Sequence, residues 1–243
     1  MLQYFFAFVI CSLSVCFVMA QPAKQNQAAA YFKKGLQFKE KGMFREAISS
    51  FKKATALNKK YDSAYMELGI IYNSINKTDS AIITLKSAVK ANPSFANAYL
   101  FLGNIYRDYK KNMDDAIANY SNALKIDSAN KLTLYGLAWC NNAKENYAEA
   151  IKYGIKALEV DNNYKPAYNE LAHAYRRLKL YNECIEQFKK NLAVSVNEQP
   201  LVYSAYCYLE LNQKEGALKM YDELMKINPK TAENLKKKID EKQ

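Results

Sequence analysis

The chain is short of the residues from which catalytic and metal sites are built. It holds one histidine in 243 residues, His173, so a Ser-His-Asp or Cys-His device would have to form around that side chain. No G-x-S-x-G nucleophile elbow and no glycine-rich phosphate loop occurs. Carboxylates are scattered without a pairing pattern. No Cys-x-x-Cys spacing is present, which argues against a zinc or dithiol site. Cysteine is used five times, and only Cys140, Cys184 and Cys207 lie beyond the first twenty residues. An odd set argues against a disulfide framework. Cys184 and Cys207 fall on adjacent expected helices, so a single bridge between them stays open. Glycine and proline are scarce, at 7 and 5 residues, and half the composition is apolar, which fits a helical protein. These absences point away from an enzyme and imply no cofactor and no metal.

Charge is missing altogether from residues 1–20, MLQYFFAFVICSLSVCFVMA, which are apolar from Tyr4 to Met19. Val18-Met19-Ala20 is small at its last position and compact three back. The stretch reads as a secretory signal peptide cleaved before Gln21. The alternative is an uncleaved anchor of borderline length for a membrane span. Leu13-Ser14-Val15 before Cys16 resembles a lipobox, but Val15 is too large and apolar sequence continues beyond the cysteine. The expected location is therefore exported, in a bacterial periplasm or envelope, with a signal-anchored membrane protein as the alternative. Residues 21–27 form a short polar spacer.

What the chain has is a period. From Asp62 to Phe95, DSAYMELGIIYNSINKTDSAIITLKSAVKANPSF, apolar and small residues take fixed places in a 34-residue unit. Tyr65 is at position 4, Leu68 and Gly69 at 7 and 8, Tyr72 at 11, Ala81 at 20, Leu85 at 24, Ala88 at 27 and Pro93 at 32. Spacings of three and four put residues on one helical face. Two helices follow, with small residues letting them approach closely and the polar run Ser74 to Thr78 as the turn. Asp79 is placed to cap the second helix, and Asn92-Pro93 to end it. One such pair cannot bury its own apolar face, so neighbours must stack.

This pattern of a large residue, Leu-Gly, Tyr, then Ala, an aromatic or large apolar residue, Ala and Pro resembles the tetratricopeptide repeat (TPR). Six units are read at 28–61, 62–95, 96–130, 131–164, 165–197 and 198–231. The first has Lys34 at the Leu position and Lys59 at the Pro position, as suits an end unit. The third is one residue longer in its turn. In the fourth, Asn141 and Gly154 replace aromatics at positions 11 and 24 and are expected to open space between the helices. Residues 232–243 read as a charged cap helix, with Leu235 and Ile239 packing on the last unit. The resemblance implies an all-α, right-handed superhelical solenoid whose first helices line a concave face.

In the family, positions 2, 5, 9, 12 and 13 of each first helix line that face. Carried over, they give Asn104 and Arg107 in the third unit and Tyr135, Trp139 and Asn142 in the fourth. The fifth gives Asn169, His173 and Arg176, and the sixth gives Tyr206. A mixed groove results, aromatic in the middle and flanked by Asn and Arg. Asn side chains can hold a peptide backbone by paired hydrogen bonds, and Trp139 and Tyr135 can serve as apolar anchors. The set for gripping a chaperone C-terminal carboxylate is not found in any three successive units.

Net charge is +11, concentrated in the first unit, which holds nine Lys and Arg against two acids. Such an excess could meet an acidic partner or an anionic surface, or simply serve as a solvated end. The expected function is an exported scaffold that binds a peptide segment of a partner protein. No nucleic-acid partner is expected, and membrane contact only through an uncleaved N-terminus or the basic first unit. The alternative is a structural subunit of an envelope assembly or secretion complex that uses convex or end surfaces.

Overall fold

The structure is a computed structural model and describes residues 23–194 and 197–242. The expected signal peptide (1–20) lies outside the described residues, as do 21–22 of the spacer, 195–196 and 243. Among the described residues there are thirteen α-helices and no strand. They are α1 (23–40), α2 (Phe44–Leu57), α3 (Asp62–Ser74), α4 (Thr78–Ala91), α5 (Ala96–Asp108), α6 (Met113–Ile126) and α7 (Lys131–Ala143). The rest are α8 (Tyr147–Val160), α9 (Lys165–Arg177), α10 (Tyr181–Val194), α11 (Glu198–Glu210), α12 (Lys214–Met225) and α13 (Pro229–Glu241). Residues 23–27, expected as a spacer, are the exposed beginning of α1. The chain forms two compact units, one to Ile105 and one from Tyr106.

Helices come in pairs joined by one recurrent turn. A left-handed residue sits in each turn: Gly42, Asn76, Lys111, Glu145, Lys179 and Asn212, with φ between 52° and 70°. The amide after it donates back to a carbonyl near the end of the first helix, as Lys77 does to Tyr72 at 2.8 Å and Asn146 to Asn141 at 2.8 Å. This is a Schellman-type end, which satisfies carbonyls the helix leaves open. Five of the six left-handed residues are not glycine, so the turn recurs without the usual sequence marker.

Second helices end on another repeated device. Asn58, Asn92, Asp127 and Asp161 leave the helix in extended conformation. Each side-chain oxygen accepts a backbone N–H two residues on, at 2.9 to 3.3 Å. The side chain thereby stands in for the lost helical bond, and proline is not required. Asp79, expected to cap α4, lies inside it, because the helix starts at Thr78 after Lys77. There its carboxylate faces the positive helix end.

In the first unit the core of α1 to α3 is Ala47, Phe51, Ala54, Ala64, Leu68 and Ile71. A Cβ on Gly35 would lie 2.6 Å from the Phe51 ring, and one on Gly69 would lie 2.6 Å from Leu85. The glycine at position 8 thus receives the large side chain from position 24 of the same pair. In the second unit the device runs between pairs as well. Tyr120 fills the site over Gly136, and Leu171 the site over Gly154. The space expected at Gly154 is therefore occupied, and Asn141 is buried with its amide donating to the Leu137 carbonyl at 2.8 Å. Toward the end of the chain, Ala232, Leu235 and Ile239 of α13 bury against Leu201, Ala205 and Leu224. This last helix begins at Pro229, capped by Asn228, whose side chain accepts from Thr231 N.

Candidate functional site

A cavity of about 250 Å³ opens in the second unit, where three successive first helices meet. From α7 come Trp139, Asn142 and Ala143; from α9 come Asn169, Glu170, His173 and Arg176. Gln199 and Tyr203 of α11 and Phe188 of α10 complete it. The helical spacing of three and four places Asn169, His173 and Arg176 on one face of α9.

Each polar group has a definable state. Asn142 is 6% exposed and donates to both the backbone carbonyl (2.9 Å) and the carboxylate (2.8 Å) of Glu170. Its amide nitrogen is thus already committed, and its Oδ1 is buried with no donor in the described chain. Asn142 thereby ties α7 to α9 while it lines the cavity. Asn169 Oδ1 accepts from Asn191 Nδ2 at 2.8 Å, and Asn191 also donates to the Lys165 carbonyl at 3.2 Å. The Asn169 Nδ2 remains available to the cavity. Burial holds the Glu170 carboxyl above the usual carboxylate range, with the Asn142 bond and Arg107 opposing it. Desolvation and then the charges of Arg176 and Arg177 push His173 below its ordinary value, although the residue as a whole is exposed.

The arginines differ sharply. Arg107 makes two bonds to Asp108, at 2.6 and 2.9 Å, and lies over the rings of Tyr135 (5.8 Å) and Trp139 (5.6 Å). Burial works against its charge, but the Asp108 bond outweighs that and raises its pKa. Arg177 is held by Tyr147 and Glu145. Arg176 has neither: its one described contact is the face of Tyr203, at 5.6 Å.

Of the residues expected to line a groove, Trp139, Asn142, Asn169, His173 and Arg176 come together in this cavity. Tyr135 does not line it. Its ring packs edge-on against Tyr164 at 6.0 Å, and burial raises its pKa. Tyr206 lines a separate cavity with Arg176, Tyr181, Leu209, Glu210, two α13 residues, Lys238 and Glu241, and Lys242 just beyond that helix. Asn104 lies on α5 in the first unit. Glu170, Phe188, Gln199 and Tyr203 were missed. Tyr203 sits one position after the expected one, stacked on Phe188 at 6.0 Å and 11°. Asn191 carried a signal: it stands at position 27, where Ala54, Ala88, Ala123 and Ala157 stand in other pairs, and it is fully buried.

Cys140, Cys184 and Cys207 are buried free thiols. Burial pushes Cys140 up to about 12. Cys184 donates to Cys207 within one apolar cluster; that bond and then burial push the Cys184 thiol up, while the same bond draws Cys207 down against its burial. Among the described residues no group of three His, Cys, Asp or Glu could hold a metal ion. None of the described helices is long and apolar enough to cross a membrane.

Paired helices with recurrent turns and a cavity lined by successive first helices define an α-helical repeat protein of the scaffold kind. The family follows from the sequence itself. Residues 12–173 match the model of the tetratricopeptide repeat protein 21 C-terminal ARM domain. Residues 166–195 and 201–231 match two tetratricopeptide repeat models. The chain belongs to the tetratricopeptide repeat family, whose members bind protein partners. No curated protein matches it. Solved structures share the fold. PilF of Pseudomonas aeruginosa is 15% identical, with a TM-score of 0.69 over 86% of this chain and 95% of that one. YrrB, described as a TPR protein with an unusual peptide-binding site, is 24% identical, with a TM-score of 0.68 over 77% of this chain and 97% of that one. PilW, described as a type IV pilus biogenesis factor, is 17% identical, with a TM-score of 0.68 over 84% and 94%.

Proposed function

We propose that the protein is an exported scaffold that holds a segment of a partner protein in the cavity between α7, α9 and α11. One observation carries this reading. Three aromatic walls, Trp139, Phe188 and Tyr203, surround hydrogen-bond donors on Asn169 and Arg176 that no group of the described chain uses. Aromatic surface supplies anchoring area at low entropic cost, and fixed donors set the register of a bound chain. The description of YrrB as peptide-binding supports the same use of the fold. Export to a bacterial periplasm or envelope is proposed from the uncharged apolar residues 1–20. The test is a capture experiment on the native envelope fraction with chain 21–243, read by mass spectrometry, in parallel with Trp139→Ala. A partner retained by the first and lost by the second is expected. Equal capture by both would end the assignment of this cavity. Fractionation and N-terminal sequencing of the cellular protein test the export.

A second reading, a structural subunit of an envelope assembly, is favoured by apolar groups left on outer surfaces. Ile83 on α4 is 68% exposed, and Leu132 and Val160 line one shallow hollow at the start of α7 and end of α8. The pilus-biogenesis description of PilW is in keeping with it. Under this reading, Leu132→Asp and Val160→Asp would abolish capture and Trp139→Ala would not.

A further inference from the structure

We infer that the cavity between α7, α9 and α11 selects an acidic side chain, Asp or Glu, next to an apolar residue of the bound segment. The inference rests on the peptide-binding reading above and adds the chemistry of the occupant. It comes from a count of which polar groups are already satisfied. The chain has four arginines, and the two other arginines in this unit, Arg107 and Arg177, each bond a carboxylate. Arg176 bonds none, although it is half-buried against Tyr203. A guanidinium has donors and no acceptor, and its planar fork matches a carboxylate in two parallel bonds.

The neighbouring groups reinforce the preference. Among the described residues Glu170 is the only carboxylate lining the cavity, and one of its oxygens accepts from Asn142 on the α7 side. Asn169 is turned by Asn191 so that its acceptor is used and its donor is left over. His173 is an exposed imidazole beside two arginines. Asn142 Oδ1 and the Gln199 amide offer acceptors as well, so the preference rests on charge: Arg176 is the cavity's arginine and bonds no carboxylate among the described residues. An anion that accepts several hydrogen bonds fits such a site, and a neutral amide does not satisfy the charge. Trp139 and the Phe188–Tyr203 stack supply the apolar side for the adjacent residue.

The test uses chain 21–243 and hexapeptide pools with both termini blocked, each with a fixed phenylalanine. One pool places Asp or Glu beside it, a second Asn or Gln, and a third phosphoserine. A fourth repeats the Asn or Gln pool with a free C-terminal carboxylate. Binding is read from the fluorescence of Trp139, the single tryptophan. The acidic pool is expected to bind about tenfold or more tighter than the amide pool. Arg176→Gln should erase that difference with an unchanged circular dichroism spectrum, whatever it does to amide-pool binding, and Arg176→Lys should restore part of it. Equal binding of acidic and amide pools overturns the inference and leaves the peptide reading standing. So does an acidic preference that survives Arg176→Gln. Tighter binding of the phosphoserine pool, or of the free-carboxylate pool, assigns the site to a different anion and also overturns it. If no pool binds, both readings fall.

Discussion

Asn191 Nδ2 donates to Asn169 Oδ1 at 2.8 Å, a bond from a fully buried residue of α10 to the wall of the α7–α9–α11 cavity. In the other pairs position 27 packs with alanine or leucine. Here a polar side chain replaces it and fixes which end of the Asn169 amide faces inward.

Asn191→Ala is therefore expected to separate stability from binding. The substitution removes two hydrogen bonds but also an orphaned Oδ1, so the net stability change should stay within about 1 kcal/mol. Binding should weaken, because Asn169 is then free to rotate. Thermal melting and Trp139 fluorescence titration check the two halves. A large loss of stability would make Asn191 a packing residue only.

Two glycines give contrasting predictions. At Gly154 a new Cβ would fall 2.8 Å from Leu171 Cγ, so Gly154→Ala must displace a core side chain. Overpacking of this kind costs about 1–3 kcal/mol, against roughly 1 kcal/mol regained in helix propensity. The variant should melt lower. Gly42 has nothing within 4 Å of its Cβ site, and the equivalent turn at Asn76 holds φ 59°. Gly42→Asn should change stability by less than about 0.5 kcal/mol, since Asn tolerates this conformation. Comparable melting losses in both variants would contradict the account of either turn or core.

The paired helices were legible because their evidence is local. Tyr65, Leu68, Gly69 and Tyr72 report a helical face through their spacing alone, and the 34-residue period repeats it. The cavity was half legible. Trp139, Asn169 and Arg176 follow from the register of their helices. Tyr203 does not, because one residue around a helix turns a side chain by about 100° and Tyr206 takes the expected register elsewhere. The commitment of Asn142 to Glu170 was invisible, since the partner lies 28 residues away on another helix. Asn191 was visible only as an exception to a small-residue column.

Glu170 makes stability depend on pH in a definite direction. Its folded-state pKa is raised by burial, so the folded chain holds the proton more tightly than the unfolded one. Below the ordinary glutamate value both states are protonated and the group contributes nothing. As pH rises from that value through the raised one, the folded state loses stability, and the loss persists above it. Glu170→Gln keeps an acceptor for Asn142 and removes the ionisation. The variant should melt higher than the parent at pH 7, and the two should converge near pH 4. Melting curves across that window decide it; a variant that melts lower at pH 7 would show the carboxylate to be net favourable.

Trp139 is half-buried, and its ring is covered on one side by Arg107 at 5.6 Å. It lines the cavity together with groups of α9 and α11. An anchor in such a position loses contact area with the occupant when truncated, whereas a core residue loses contacts with the fold. Trp139→Ala is expected to weaken segment binding by about 2 kcal/mol or more. Its stability cost should fall short of the roughly 3–5 kcal/mol of a buried tryptophan, because part of the ring already meets solvent. Arg107→Ala tests the same geometry from behind. It removes the cation over the ring but no direct cavity group, so Trp139 fluorescence should shift while binding falls by less than in Trp139→Ala. If Trp139→Ala melts the α7–α8 pair and Arg107→Ala does the same, the tryptophan belongs to the packing of that pair. The donors of Asn169 and Arg176 would then have to hold a segment without it.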